Sequence, residues 1–278
     1  MRLRSLLFVP GDRPERFAKA AASGADAVIL DLEDSVASAA RPAAREAVAQ
    51  WLREPATVLR FVRVNPLGSE GLADDLAAAR GADGVMLPKA ERAEDVATLV
   101  DAMGAATVPV LPVATETPLA VFGLGGYRAV ADRLAGLTWG AEDLPAAIGA
   151  ATSREDDGRY TSPYEMVRSL ALFGAHAAGV PAIETVYPAF HDDVGLAAYA
   201  RRAARDGFTG MMAIHPAQVA TINAAFTPDA AQVAHARAIV AAFAAQPDAG
   251  ALQVDGRMVD APHLKQARAI LDRAGEAP

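Results

Sequence analysis

The chain holds 278 residues with 52% hydrophobic and 6% aromatic residues, a formal charge of −8 and no cysteine. That length allows one large α/β barrel or two modest domains, while the acidic balance and scattered arginines argue against a nucleic-acid surface. Without cysteine there are no disulfides, thiol nucleophiles or thiolate zinc sites, so any chemistry rests on oxygen and nitrogen groups. The apolar run Leu6-Leu7-Phe8-Val9 stops at Pro10-Gly11, too short for a signal-peptide core or a membrane span, and the expectation is a cytoplasmic protein with no membrane partner.

Ser5 to Pro10 reads as a first strand, after which Asp12 and Pro14 suit the start of a helix ending near Ser23-Gly24. Ala27 to Leu32 is a second strand, apolar until it runs into Asp31, Glu33 and Asp34. An Ala-rich helix spans about Pro42 to Arg53. Val58 to Asn65 is strand three, closed by the turn signal Asn65-Pro66. A helix over Gly71 to Arg80 leads to strand four, Gly84 to Lys89, and a helix over Glu91 to Met103. Val108 to Glu116 is strand five, with two prolines limiting its ladder donors; Gly123-Leu124-Gly125-Gly126 reads as a turn, and Leu137 to Asp143 as strand six. Ala150 to Thr161 is an inserted loop, Tyr164 to Ala178 a helix, Val180 to Pro188 strand seven, His191 to Asp206 a helix and Gly210 to Pro216 strand eight.

Eight short strands alternating with helices predict an α/β protein, a (β/α)8 TIM barrel over residues 1–225, with an open doubly wound sheet as the alternative. A helix over Pro228 to Ala245, a hairpin turning at Asp255-Gly256 and a last helix from Pro262 form a C-terminal extension over 226–278. It exceeds what a barrel needs and is expected to act as a lid or an inter-subunit segment.

Polar residues gather at the carboxyl ends of the strands, where a barrel places its chemistry. Asp31, Glu33 and Asp34 stand at the end of strand two, Arg63 of strand three, Lys89 of strand four, Glu116 of strand five, Glu142 and Asp143 of strand six, Glu184 of strand seven and His215 of strand eight. Carboxylates facing two or three cations suit a hard divalent metal, Mg²⁺ above others, and an anionic substrate. Glu116 and Asp143 close apolar strands, where an unpaired carboxylate is costly to bury, and are the metal-ligand candidates. Arg63, an arginine between valines, is expected against an anion. Blander roles stand beside these: Asp31, Glu33 and Asp34 could cap a helix or pair with Arg41 and Arg45, Lys89 could snorkel at an interface, and His215 could be a cap.

The segments Ser5 to Gly11, Asp31-Leu32-Glu33-Asp34-Ser35-Val36, Arg63-Val64-Asn65, Leu87-Pro88-Lys89, Glu116-Thr117, Glu142-Asp143-Leu144, Ile214-His215-Pro216 and Asp255 to Asp260, in that order, resemble the HpcH/HpaI aldolase/citrate lyase superfamily, in its citrate lyase β-subunit-like branch. The resemblance implies a TIM barrel, a homotrimer or hexamer, Mg²⁺, and cleavage or formation of a carbon–carbon bond in a β-hydroxyacyl thioester such as citryl-, malyl- or citramalyl-CoA. It assigns Mg²⁺ to Glu116 and Asp143, the substrate to Arg63, Glu116 and, at the CoA phosphates, Lys19, and proton transfer to Asp260 or Glu33. Ile183-Glu184-Thr185 departs from the Ile-Asp expected there. A class II aldolase acting on free hydroxy-keto acids, and a subunit active only within a larger complex, are the alternatives.

Overall fold

The computed structural model describes residues 1–276, so Ala277 and Pro278, the end of the expected extension, lie outside the described residues. Eight strands form one parallel sheet: β1 Ser5–Pro10, β2 Ala27–Asp31, β3 Leu59–Arg63, β4 Gly84–Leu87, β5 Val110–Pro112, β6 Leu137–Thr138, β7 Ala182–Glu184 and β8 Gly210–Ala213. The hydrogen-bonded order runs β5-β4-β3-β2-β1-β8-β7-β6. Isolated parallel bridges Val110–Leu134 and Val113–Thr138 close the ring between β5 and β6, with the Ala135 and Ala114 N–H groups donating to the Val110 and Thr138 carbonyls at 2.8 and 2.9 Å. The (β/α)8 barrel expected from the sequence is therefore observed.

The strands are mostly apolar because helices cover the outside while side chains fill the inside, the charged exceptions being Asp31, Arg60, Arg63 and Glu184; β2 is buried at every position. Leu6, Ile29, Phe61, Met86, Leu111, Ile183 and Met212 belong to one buried core cluster inside the barrel. Strand alternation carries these inward positions forward in steps of two. Ile29 and Phe61 put Asp31 and Arg63, two residues on, on the same inner face at the top of the barrel, and the β2–β3 register pairs Asp31 with Arg63 directly. Ile183 faces in, so Glu184 faces out.

Helices α1 Phe17–Ala21, α2 Arg41–Trp51, α3 Leu72–Ala78, α4 Ala93–Met103, α5 Pro118–Gly123, α6 Asp143–Ile148, α7 Ser162–Ala178, α8 Asp193–Asp206 and α9 Gln218–Ala225 connect and flank the strands. Differences from the sequence-based expectations sit where local signals are short. Gly123 to Gly126 is not a turn: Gly123 ends α5 and the chain continues as a 3-10 helical segment over Leu124–Arg133. Strand six is two residues long, and its acidic end has been absorbed into α6. The helices α5, α6 and α9 were not expected from the sequence. No helix among the described residues is long and apolar enough to cross a membrane.

The chain separates into two compact units, the first ending at Asn223 and the second beginning at Ala224. In the second, α10 Ala230–Ala245, the hairpin strands β9 Ala251–Val254 and β10 Arg257–Asp260, and α11 Ala261–Arg273 enclose their own core of Ile239, Phe243, Val254, Val259 and Leu271. Asp255 and Gly256 both take positive φ at the hairpin turn, the geometry that Asp-Gly supplies at low cost.

Candidate active site at the barrel mouth

The site is assembled on the residues at the carboxyl ends of β2, β3, β4, β5 and β6. Asp31 is 1% exposed and its four hydrogen bonds use both oxygens: Arg63 Nε and Nη2 donate to it at 2.7 Å each, and the Glu33 and Ser35 N–H groups at 3.0 Å each. Burial alone would push this carboxyl up, but the bonds and charge of Arg63 outweigh it and hold Asp31 below the usual range. Arg41 and Arg45 play no part in this; Arg45 pairs with Asp75 at 2.7 Å instead. The Arg63 guanidinium also lies 4.9 Å from the centre of the Phe8 ring, and its pKa is raised by Asp31 against the cost of burial.

Glu33 is buried between two cations. Lys89 Nζ donates to its Oε1 at 2.6 Å, while its Oε2 faces Arg63 Nη1 at 3.1 Å without accepting a hydrogen bond. Burial outweighs both cations and leaves Glu33 above the ordinary glutamate range. Lys89 is the link to the second half of the site. Its φ of 53° is left-handed, rare for a residue with a Cβ, and this turn lets the backbone N–H reach Glu116 Oε2 at 2.6 Å while Nζ lies 2.6 Å from Glu33 and 3.6 Å from Asp143. The ammonium is held charged well above its ordinary pKa by Glu33, with Glu116 and Asp143 adding to it.

Glu116 is 5% exposed. Burial pushes its carboxyl up to about 8; the Lys89 N–H opposes this and the charge of Asp143 adds to it. Gly140 leaves the room Glu116 occupies: a Cβ there would meet Glu116 Cγ at 2.8 Å. Thr115 pins that strand end, exchanging hydrogen bonds with the Gly140 N–H at 3.0 Å and carbonyl at 3.1 Å. Four buried or half-buried carboxylates, Asp31, Glu33, Glu116 and Asp143, thus face two cations, Arg63 and Lys89, while the exposed Asp34 approaches Arg63 Nη1 at 3.7 Å from the solvent side. When all four are ionised the mouth lacks two positive charges.

The structure brings Glu33, Arg63, Glu116 and Asp143 into one connected network, together with Asp31 and Lys89, which sequence reasoning leaves in supporting or undecided roles. The signal for Lys89 is its place after Leu87-Pro88 at a strand end; for Gly140 there is only its position between Trp139 and Ala141. Lys19 stands exposed on α1, outside this network. Asp260 stands in the second unit, where it caps α11 and pairs with His263 Nδ1; that bond first, with the His263 charge, lowers its pKa. Glu184 lies in the helical layer, bonded to Trp139 Nε1 and to Arg168 Nε at 2.7 Å. His215 is exposed, accepts the Ala217 N–H at 3.2 Å and stacks on Phe190. Among the described residues no group of three or more His, Asp or Glu forms a metal cage, so a cation here would rest on the Glu116–Asp143 pair and complete its coordination from solvent or substrate, as Mg²⁺ does.

Comparison with known proteins agrees with this architecture. The chain is 42% identical over 273 residues to a citrate lyase subunit β-like protein of Mycobacterium tuberculosis, covering 98% of this chain and 95% of that one. It is 34% identical over 278 residues to a (3S)-malyl-CoA thioesterase of Cereibacter sphaeroides, covering 98% and 94%. The crystal structure of CitE from M. tuberculosis in complex with magnesium, acetoacetate and coenzyme A superimposes with a TM-score of 0.84 at 41% identity, covering 99% of each chain. A model of the HpcH/HpaI aldolase/citrate lyase family matches residues 4–216. With that match over most of the barrel and relatives above one third identity along the whole chain, the protein belongs to the HpcH/HpaI aldolase/citrate lyase family.

Proposed function

We propose that this protein is a Mg²⁺-dependent carbon–carbon lyase that cleaves or forms a β-hydroxyacyl-CoA such as malyl-, citramalyl- or citryl-CoA, exchanging it with acetyl- or propionyl-CoA and a keto acid. The observation that carries the reading is the charge deficit at the mouth, with the buried Glu116 carboxyl beside Asp143. One divalent cation on that pair would make up the deficit, and an α-hydroxy or keto acid offers the oxygens to complete an octahedral shell. The CitE complex with magnesium, acetoacetate and coenzyme A supports both the cation and the substrate class.

Glu116 and Asp143 would hold the ion, and when bound it would supply Lewis-acid polarisation of the substrate's hydroxyl or carbonyl oxygen. Arg63 gives Asp31 its Nε and one Nη2 hydrogen and turns Nη1 toward Glu33 and Asp34, leaving the second Nη2 hydrogen to hold the substrate carboxylate in the fixed plane set by Asp31. In the cleavage direction the β-hydroxyl loses its proton, the carbon–carbon bond breaks with its electron pair passing into the thioester enolate, and an acid returns a proton to the enolate carbon. Glu33, with its raised pKa and its Lys89 partner, is suited to carry a proton at that oxygen or carbon. Asp260 is the other proposed acid, and Lys19 the proposed contact to the CoA phosphates.

Thioester hydrolysis is a second reading, favoured by the 34% identical malyl-CoA thioesterase. One assay separates the two: purified protein with Mg²⁺ and each of the three CoA thioesters, monitored for keto acid and for free thiol. Keto acid without thiol supports the lyase. Thiol without keto acid replaces it by the hydrolase, and neither product from any thioester overturns both.

A further inference from the structure

Strand β6 is two residues long, so the ladder that fixes the other strand ends gives out before the acid that β6 has to present. Its pairing with β7 stops at Thr138 and Ile183, and its bridge to the β5 end stops at Thr138 and Val113. Beyond Thr138 no strand pairing continues among the described residues. Side chains hold the stretch 139–143 instead. From the β5 end, Thr115 exchanges hydrogen bonds with the Gly140 N–H and carbonyl. From the layer outside β7, Glu184 Oε1 accepts the Nε1–H of Trp139, an indole that is wholly buried and braced edge-on by Tyr160, with ring centres 5.1 Å apart.

Glu184 is itself tied to three elements. Its Oε1 also accepts the Thr185 N–H at 3.0 Å, and its Oε2 accepts Arg168 Nε of α7 at 2.7 Å. Arg168 in turn donates from Nη1 to Asp206, the last residue of α8, at 2.9 Å, and its guanidinium lies 4.7 Å from the centre of the Phe208 ring. Such a buried pair is a poor source of stability, because desolvating both charges offsets most of their attraction and apolar residues of similar volume often serve as well. What it does provide is an acceptor that cannot move. We propose that Glu184 is a positioning residue for the acid pair Glu116 and Asp143, acting through Trp139. The indole fixes residues 140–143 from outside the barrel as Thr115 fixes them from β5. Gly140, the next residue, is thereby held against the Glu116 side chain, where a Cβ would meet Cγ at 2.8 Å, and Asp143 is held at the mouth, 3.6 Å from Lys89 Nζ. The inference rests on the reading of that acid pair as the Mg²⁺ site.

Mg²⁺ titration calorimetry on the full chain, with urea unfolding beside it, tests this. Trp139→Phe deletes the indole N–H, keeps an aromatic ring and leaves Glu184 its bonds to Arg168 and Thr185. It should weaken Mg²⁺ binding about tenfold or more, the loss expected when the support of a metal ligand is removed. Glu184→Leu combined with Arg168→Met removes the acceptor without leaving a lone buried charge, and should weaken Mg²⁺ by a similar factor. Val48→Ala opens a cavity in α2 at a wholly buried residue; it should lower the urea midpoint and leave the affinity unchanged. Wild-type affinity in Trp139→Phe or in the double variant would overturn the proposal, as would an equal loss of affinity in Val48→Ala, which would make the indole bond a matter of stability alone. Glu116→Gln separates this from the reading it rests on. Mg²⁺ that binds that variant as it binds the wild type removes the acid pair and the proposal together, whereas a site lost in Glu116→Gln and kept in Trp139→Phe removes only the role of Glu184.

Discussion

Replacing Glu116 by glutamine isolates the charge problem at the mouth, since the amide keeps an oxygen for the Lys89 N–H and removes only the ionisation. The carboxyl is displaced from 4.5 to about 8 by burial, with Asp143 adding to it. Between those values the folded protein retains a proton that the unfolded chain has lost, so folding takes up a proton and stability falls as pH rises through that window. The displacement corresponds to at most about 4 kcal/mol between about pH 5 and pH 8. Urea unfolding in the absence of divalent metal should therefore show the wild type losing stability over this range by an amount that Glu116→Gln does not lose. Added Mg²⁺ should restore the wild type at pH 8, by about 2.7 kcal/mol at a hundredfold excess over Kd, and should do little for the variant. Calorimetry in two buffers of different ionisation enthalpy should show proton release on Mg²⁺ binding below about pH 8 in the wild type alone. The same pH slope in both proteins would mean that Glu116 is not held protonated by burial, and equal Mg²⁺ stabilisation of both would remove it from the metal site.

Three further substitutions probe the network. Asp31→Asn leaves the Arg63 guanidinium buried without its carboxylate, and denaturant unfolding should report a loss of about 3–5 kcal/mol, with a raised KM for the keto acid in the synthetic direction. Gly140→Ala forces Glu116 aside and should weaken Mg²⁺ binding about tenfold or more by calorimetry, the size of effect expected when the support of a metal ligand is disturbed; unchanged affinity would remove the pair from the metal site. Lys89→Gly and Lys89→Ala both delete the ammonium, but only glycine relieves the positive φ. The glycine variant should be the more stable by about 1 kcal/mol in urea, and equality would show that the left-handed turn stores no strain.

Much of this protein was legible in one dimension. A parallel strand buried on both faces must be an apolar run, so β1, β2, β4 and β8 announce themselves, and their repetition with intervening helices specifies a barrel. Acids and cations at one end of those runs marked the mouth, and Asp255-Gly256 marked the hairpin, because turn chemistry is local. The family motifs located Glu33, Arg63, Glu116 and Asp143 for the same reason: each stands next to a strand end.

Tertiary structure decided which of these residues act together. The β2–β3 register set Arg63 against Asp31 rather than leaving Asp31 to Arg41 or Arg45, and a pairing across strands has no signature within either strand. Inside–outside alternation sent Glu184 to Arg168 and away from the mouth, a consequence of one residue of parity on a three-residue strand. A left-handed turn at Lys89 joined Glu33 to Glu116, and the displaced pKa of Glu116 arises from desolvation and from Asp143, twenty-seven residues away in sequence.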